Sequence, residues 1–145
     1  MSDARHRARE RVVQGVYQWL LNRQTVPQLL TQSHEEDDEP PCDETLYRIL
    51  LQGVVDHASA LDAEIARWVD RPVGALSPVE HAVLLLGAEE LAHHPEVPYR
   101  VVINEAVELA KTFGGTDGHK YVNGVMDRLA GNLRAPEAGA RTRKR

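Results

Sequence analysis

The amino-acid sequence predicts an all-α protein, and three observations carry that reading. Apolar residues recur at intervals of three and four along most of the chain, which is the period of a helix with one buried face. Helix start and stop residues fall between those stretches, with Ser77-Pro78 before one run and Gly114-Gly115 after another. The apolar content is largely Val, Leu and Ala with a single Phe, and at 42% of 145 residues it suffices for one domain with its own core.

The first helix is expected from about Asp3 to Leu21. Val12, Val13, Val16, Trp19 and Leu20 fall on one side, and Arg7, Arg11, Gln14 and Gln18 on the other. Arg5 and Arg9 continue the line of Val12 and Val16, so the first two turns are expected to project past the core or over a groove, with their arginines open to a ligand. Thr25 caps a short second helix over 27–32, with Pro27 tolerated in its first turn. The acidic stretch through Glu35, Glu36, Asp37, Asp38 and Glu39 to Asp43 and Glu44 reads as a solvated, mobile loop.

Asp43 caps a long third helix, in which Leu46, Ile49, Leu50, Val54, Leu61, Ile65 and Trp68 form the inner stripe until Arg71-Pro72 ends it. His57 lies on that stripe and is expected to bond to a neighbour at the edge of the core. Ser77-Pro78-Val79-Glu80 is a capping box, and the fourth helix behind it is apolar over so wide an arc that it belongs at the centre. The fifth helix follows Val97-Pro98, turns Val102, Ala106, Leu109, Ala110 and Phe113 inward, and ends at Gly114, expected in the left-handed conformation. The sixth begins near Thr116 or Asp117 and packs Val122, Val125, Met126, Leu129 and Leu133. A basic tail with Arg141, Arg143, Lys144 and Arg145 follows, expected to be disordered.

Charge narrows the function. A formal net charge of −5 does not suit indiscriminate coating of nucleic acid, which draws its free energy from many phosphate contacts. Basic charge is local instead: Arg5, Arg7, Arg9 and Arg11 alternate at the start of the first helix, where they oppose the helix dipole and imply a partner that supplies negative charge. The start of the sixth helix offers unpaired N–H groups, Lys120, Asn123, and Tyr121 as a stacking face for an unpaired base. Asp117 there can cap the helix or accept a hydrogen bond from a base edge.

Other chemistry is thin. Gly114-Gly115-Thr116-Asp117-Gly118-His119-Lys120 lacks the spacing of a phosphate loop and follows a helix, so ATP binding is not expected. Glu89 with His93, and Glu90 with His94, have (i, i+4) spacing, but two-ligand surface pairs are common and no metal or other cofactor is expected. The single cysteine, Cys42, excludes an internal disulfide framework, and neighbouring carboxylates are expected to raise its pKa. No run approaches the roughly 18 apolar residues of a membrane span, and a cytoplasmic location is expected.

These residues together resemble the NusB family of bacterial transcription antitermination factors. The resemblance rests on Ala8-Arg9-Glu10 with Gln14 and Tyr17, Val79-Glu80, Glu90-Leu91, Val97-Pro98-Tyr99, Ile103-Asn104-Glu105-Ala106, Leu109-Ala110-Lys111 and Lys120-Tyr121-Val122-Asn123-Gly124-Val125. It implies two small helical bundles packed into one compact domain, about 3–71 and 76–134 within a module spanning 1–134, with 135–145 as the tail. It also implies binding of the boxA element of nascent ribosomal RNA together with the ribosomal protein NusE, within an RNA polymerase antitermination complex and without catalysis.

By motif, the RNA-binding residues would be Arg5, Arg7, Arg9, Gln14, Asp117, Lys120 and Tyr121, on one surface formed by the starts of the first and sixth helices. Glu80, His81 and Leu84 would face the ribosomal protein. His6 stands where the family often has arginine, and Tyr121 where it often has phenylalanine. The family implies a monomer or a homodimer. A similar domain precedes the catalytic domain of certain ribosomal RNA cytosine methyltransferases; this chain ends at Arg145 without a cofactor-binding glycine motif, as expected of a standalone factor. Two further readings stay open at this point: a small hydrolase using His57 or His93-His94, and a helical adaptor that binds only protein.

Overall fold

The computed structural model describes residues 2–35 and 41–135, and for 2–3 and 33–35 only the backbone. The acidic residues 36–40 and the basic residues 136–145 lie outside the described residues, and with them most of the expected mobile loop and the expected disordered tail; at the flanks of that loop, 33–35 are helical and Glu44 opens the next helix. Among the described residues the fold has six α-helices, α1 (Ser2–Asn22), α2 (Val26–Glu35), α3 (Glu44–Ala66), α4 (Pro78–His93), α5 (Tyr99–Phe113) and α6 (Gly118–Leu133), with one 3-10 turn at Val73–Ala75. No described helix is long and apolar enough to cross a membrane.

Local chemistry explains the starts. Thr25 and Gln28 form a reciprocal capping box for α2: Thr25 Oγ1 accepts from the Gln28 N–H at 3.3 Å and Gln28 Oε1 accepts from the Thr25 N–H at 2.9 Å. Asp43 Oδ1 accepts from the Leu46 N–H at 3.0 Å, and Ser77 Oγ from the Glu80 N–H at 3.2 Å. The third helix stops five residues before the Arg71-Pro72 signal, because the N–H groups of Arg67 and Trp68 turn to the carbonyls of Glu64 and Ile65. Gly114 is extended, not left-handed, at φ −94° and ψ −177°. Its N–H donates to the Ala110 carbonyl at 2.8 Å, and a Cβ would stand 2.6 Å from that same oxygen. Glycine is required there for close approach rather than for φ.

The fourth helix lies at the centre, against α1, α3, α5 and α6. Residues 82–91 of α4 are all buried, which accounts for its lack of a polar face. Its C-terminal carbonyls are capped from α6's end: Arg134 donates to the carbonyls of Leu91 at 2.8 Å, Glu90 at 3.2 Å and His94 at 3.0 Å. One apolar cluster runs through all six helices, from Ala8 and Val12 in α1 to Leu129 and Ala130 in α6. Ile49, expected inside, is 50% exposed, while Tyr47 and Leu51 are buried in its place, because α3 turns a face one residue away toward α1.

Candidate nucleic-acid interface

The first and fifth helices lie side by side and run in the same direction. Arg5 and Arg9 share a cleft with Val97, Pro98, Val101 and Glu105 at one end, and Val13, Gln14 and Tyr17 share another with Val79 and Phe113 at the far end. These two clefts, together the α1–α5 groove below, lie along α1 about 18 Å apart, the rise of the twelve residues from Arg5 to Tyr17. Beyond Phe113, the link through Gly114–Asp117 delivers the chain into the first turn of α6.

The basic cluster divides into two kinds. Arg9, expected to touch RNA, is only 5% exposed, and its guanidinium is spent on carboxylates. Its Nε and Nη2 donate to the two oxygens of Glu90, each at 2.8 Å, and Nη1 donates to Glu105 Oε1 at 3.1 Å. Burial alone would lower its pKa, but the hydrogen bonds and charge of Glu90, then Glu105, outweigh burial and hold the group above its ordinary value. Of the two expected placements, the first two turns of α1 lie over a cleft and do not project past the core, since Ala8 and Arg9 seat them on α4 and α5.

His6 Nδ1 lies 3.2 Å from both Glu105 oxygens, and Arg11 donates to Glu44 at 3.1 Å. Arg5 is exposed and Arg7 half-buried, and neither has a carboxylate partner among the described residues. Gln14 is exposed and lines the groove. These three are the parts of the α1 prediction that a ligand can reach.

At the other end, Lys120 and Asp117 are exposed and pair loosely at 3.4 Å. Asp117 precedes α6 without a side-chain cap, so its carboxylate stays at the surface. Tyr121 is half-buried: its hydroxyl donates to Asp70 Oδ1 at 3.0 Å, and the Arg71 guanidinium covers one ring face at 4.9 Å from the centroid. Arg71 in turn donates to both Asp70 oxygens, at 2.7 and 3.2 Å. The hydrogen bond from Arg71, and then that from Tyr121, lower the Asp70 pKa from 3.8 to about 2. Burial, and then the Asp70 bond, raise the Tyr121 hydroxyl. Asp70 and Arg71 bracket the aromatic ring, a partnership across 50 residues that no local spacing announces.

A depressed carboxylate stabilises the fold above the ordinary Asp range, and that contribution is lost as pH falls from about 4 toward 2. Replacing Tyr121 with Phe removes one bond and is expected to raise the Asp70 pKa part of the way to 3.8, with Arg71→Met raising it further. Carbon-detected NMR titration of the side-chain carboxyl checks both. An unmoved value in Tyr121→Phe would show that the hydroxyl does not hold Asp70.

Of the residues expected to face a protein partner, Leu84 is fully buried and belongs to the core of α4. Apolar spacing cannot distinguish a surface anchor from a core residue on a helix buried all round. Glu80 and His81 are half-buried; the Glu80 carboxylate lies beside Gly118 at the start of α6, and His81 Nε2 lies 2.7 Å from Asp62 Oδ1. His57 bonds to Glu89, as expected, at 2.9 Å. The Cys42 thiol is raised, but burial is the leading cause, with Arg11 opposing and Glu44 and Asp43 adding to it.

An all-helical binding protein, with a groove between two helices and accessible cations at its ends, is the class that this geometry defines. Comparison with known proteins gives the family: the NusB family model matches residues 6–131, and the chain belongs to the NusB family. The transcription antitermination protein NusB of Azoarcus sp. (strain BH72) is 51% identical over 144 residues, covering 98% of this chain and 92% of the relative. Among solved structures, T. maritima NusB superposes with a TM-score of 0.76 at 30% identity, over 88% of this chain and 90% of that one. A crystal structure of antitermination factors NusB and NusE in complex with double-stranded RNA superposes with a TM-score of 0.79 at 25% identity, over 93% and 99%. The expected family member is thus what the chain is, all-helical over its described residues.

Proposed function

We propose that this chain acts in transcription antitermination by binding boxA-type single-stranded RNA of nascent ribosomal transcripts together with NusE, in the cytoplasm, as part of an RNA polymerase antitermination complex. The observation that carries the reading is the placement of Arg5 in the cleft at the head of α1 and α5, with Arg7 beside it on the first turns of α1, and of Asp117, Lys120 and Tyr121 past Phe113 in the far cleft, in a chain whose relatives are antitermination proteins. Arg5, Arg7 and Lys120 grip phosphates, while Gln14, Asp117 and Tyr121 engage unstacked bases, the usual way in which RNA sequence is read. Arg9 acts through Glu90 and Glu105 by fixing the angle of α1, and so places Arg5 and Arg7. The half-buried Glu80 and His81 meet NusE, and the module spans 1–134 as bundles of about 3–71 and 76–134.

So few phosphate contacts give a modest, salt-sensitive affinity alone, and a second protein holding the same RNA adds effective concentration. Titration of boxA RNA at several salt concentrations, with and without NusE, is expected to show tighter binding in the presence of NusE and weaker binding of a duplex of the same sequence. Equal affinity with and without NusE would contradict cooperation, and a preference for the duplex would contradict base readout.

A further inference from the structure

Two carboxylates interrupt the apolar run of α4, Glu89 and Glu90, and each is 2% exposed. Glu90 is matched by Arg9, whereas Glu89 turns to the α3 flank of α4 and meets imidazoles only. Among the described residues its partners are His57 Nδ1, 2.9 Å from Oε1, and His94 Nε2, 3.5 Å from Oε2. Gly53, one turn before His57 on α3, makes the room: a Cβ there would collide with the Glu89 carboxylate. A carboxylate buried this deeply calls for positive charge beside it.

His93 completes the cluster. It stands one helical turn after Glu89 on α4, and its ring lies against that of His57 with centroids 4.0 Å apart and planes tilted by 36°. It makes no hydrogen bond among the described residues, so a hydrogen-bonded Glu89 accounts for His57 but not for His93. One nitrogen of each of these two imidazoles and one Glu89 oxygen lie within 4.8 Å of one another.

We propose that His57, Glu89 and His93 form a transition-metal site, occupied by zinc, that clamps α3 to α4. Two imidazoles and one carboxylate are a zinc donor set, with the fourth position left to water or to His94. Zinc bonds of about 2.0–2.1 Å put tetrahedral ligand atoms about 3.3 Å apart, so donors now within 4.8 Å of one another need close in by no more than about 1.5 Å on binding. The side chains able to move are the outer ones: His57 is 43% exposed and His93 is exposed, while Glu89 is the fixed point. The ion would sit at the C-terminal turn of α4, where the helix dipole favours a cation. It lies on the α3 flank of α4, about 100° round the helix from Glu90, and is expected to govern stability and not RNA contact.

The test uses the full chain, stripped with EDTA and titrated with zinc chloride against a chromophoric chelator at pH 7.5. The expected result is one zinc per chain, a rise in Tm of about 5 °C or more at a hundredfold excess over Kd, and reversal by EDTA. Cobalt(II) substitution should give the visible absorption of a four-coordinate ion. His93→Ala and His57→Ala, both at outward positions, should each weaken zinc binding at least tenfold while leaving the helical circular dichroism intact. No saturable zinc binding at micromolar concentration, or the same stoichiometry and affinity in both histidine variants, would overturn the proposal.

Discussion

Glu90→Gln is expected to lower the unfolding free energy by about 3–5 kcal/mol, because it leaves the buried Arg9 guanidinium without its two-pronged partner. Domains of this size are stable by only about 5–15 kcal/mol in all, so the variant should sit near the edge of folding. Arg9→Lys is expected to lose much of the same energy, since an ammonium cannot reach both Glu90 oxygens in the paired geometry seen here. Urea denaturation would register the change as a lower midpoint at an unchanged slope. The double variant Arg9→Met with Glu90→Met should recover most of the loss, because it removes both buried charges and leaves Glu105 with His6 at the surface. A loss below about 1 kcal/mol in Glu90→Gln would mean that the pair does not seat α1 on α4.

Arg5→Ala combined with Arg7→Ala should do the reverse, sparing the fold and damaging the ligand contact. Each phosphate contact on a single strand adds about 0.7 to the slope of log affinity against log salt, so two lost contacts flatten it by about 1.4 and weaken binding roughly 25-fold at 0.1 M salt. Stability should stay within about 0.5 kcal/mol, since neither side chain has a carboxylate partner among the described residues. Arg11→Ala is the internal control: its guanidinium is engaged with Glu44, and its loss should leave the salt slope nearly unchanged. A slope unaltered in the double variant would place the RNA elsewhere.

Much of the fold was legible because helical signals are local. Ser77-Pro78, Asp43 and Thr25 announce helix starts through bonds that reach only three residues, and the unbroken apolar run of α4 announces its central place. The two charged residues that matter most for docking the helices were also visible, but were read differently. Arg9 falls on the line of Val12 and Val16, and Glu90 falls within the most apolar helix; a cation on one buried stripe and an anion on another are the mark of a buried pair. Reading each helix alone makes Arg9 an exposed ligand contact, since only the fold brings α1 within reach of α4. Gly114 misled for a related reason, because a glycine after a helix serves left-handed geometry or close approach equally well, and sequence does not separate them.

The site was legible in its parts more than in its arrangement. Arg5, Arg7, Gln14, Asp117 and Lys120 are accessible, and the motif that marks them needs no tertiary knowledge. What the sequence could not supply is the groove between α1 and α5, which sets the basic start of α1 and the first turn of α6 at opposite ends of a path and not at a single point. Nor does it disclose that Asp70 and Arg71 hold the ring of Tyr121, so that a base would stack on the free face or displace the guanidinium.

Photo-crosslinking of boxA RNA to the full chain, with the attached peptides read by mass spectrometry, tests that path most directly. Adducts on the start of α1, around Arg5 and Arg7, and on the first turn of α6, at Lys120 and Tyr121, should arise from one bound strand, with the two groups attached to separate nucleotides in a constant order. Adducts confined to the α2–α3 side of the molecule, or an α6 group that persists unchanged when Arg5 and Arg7 are both alanine, would contradict the shared groove.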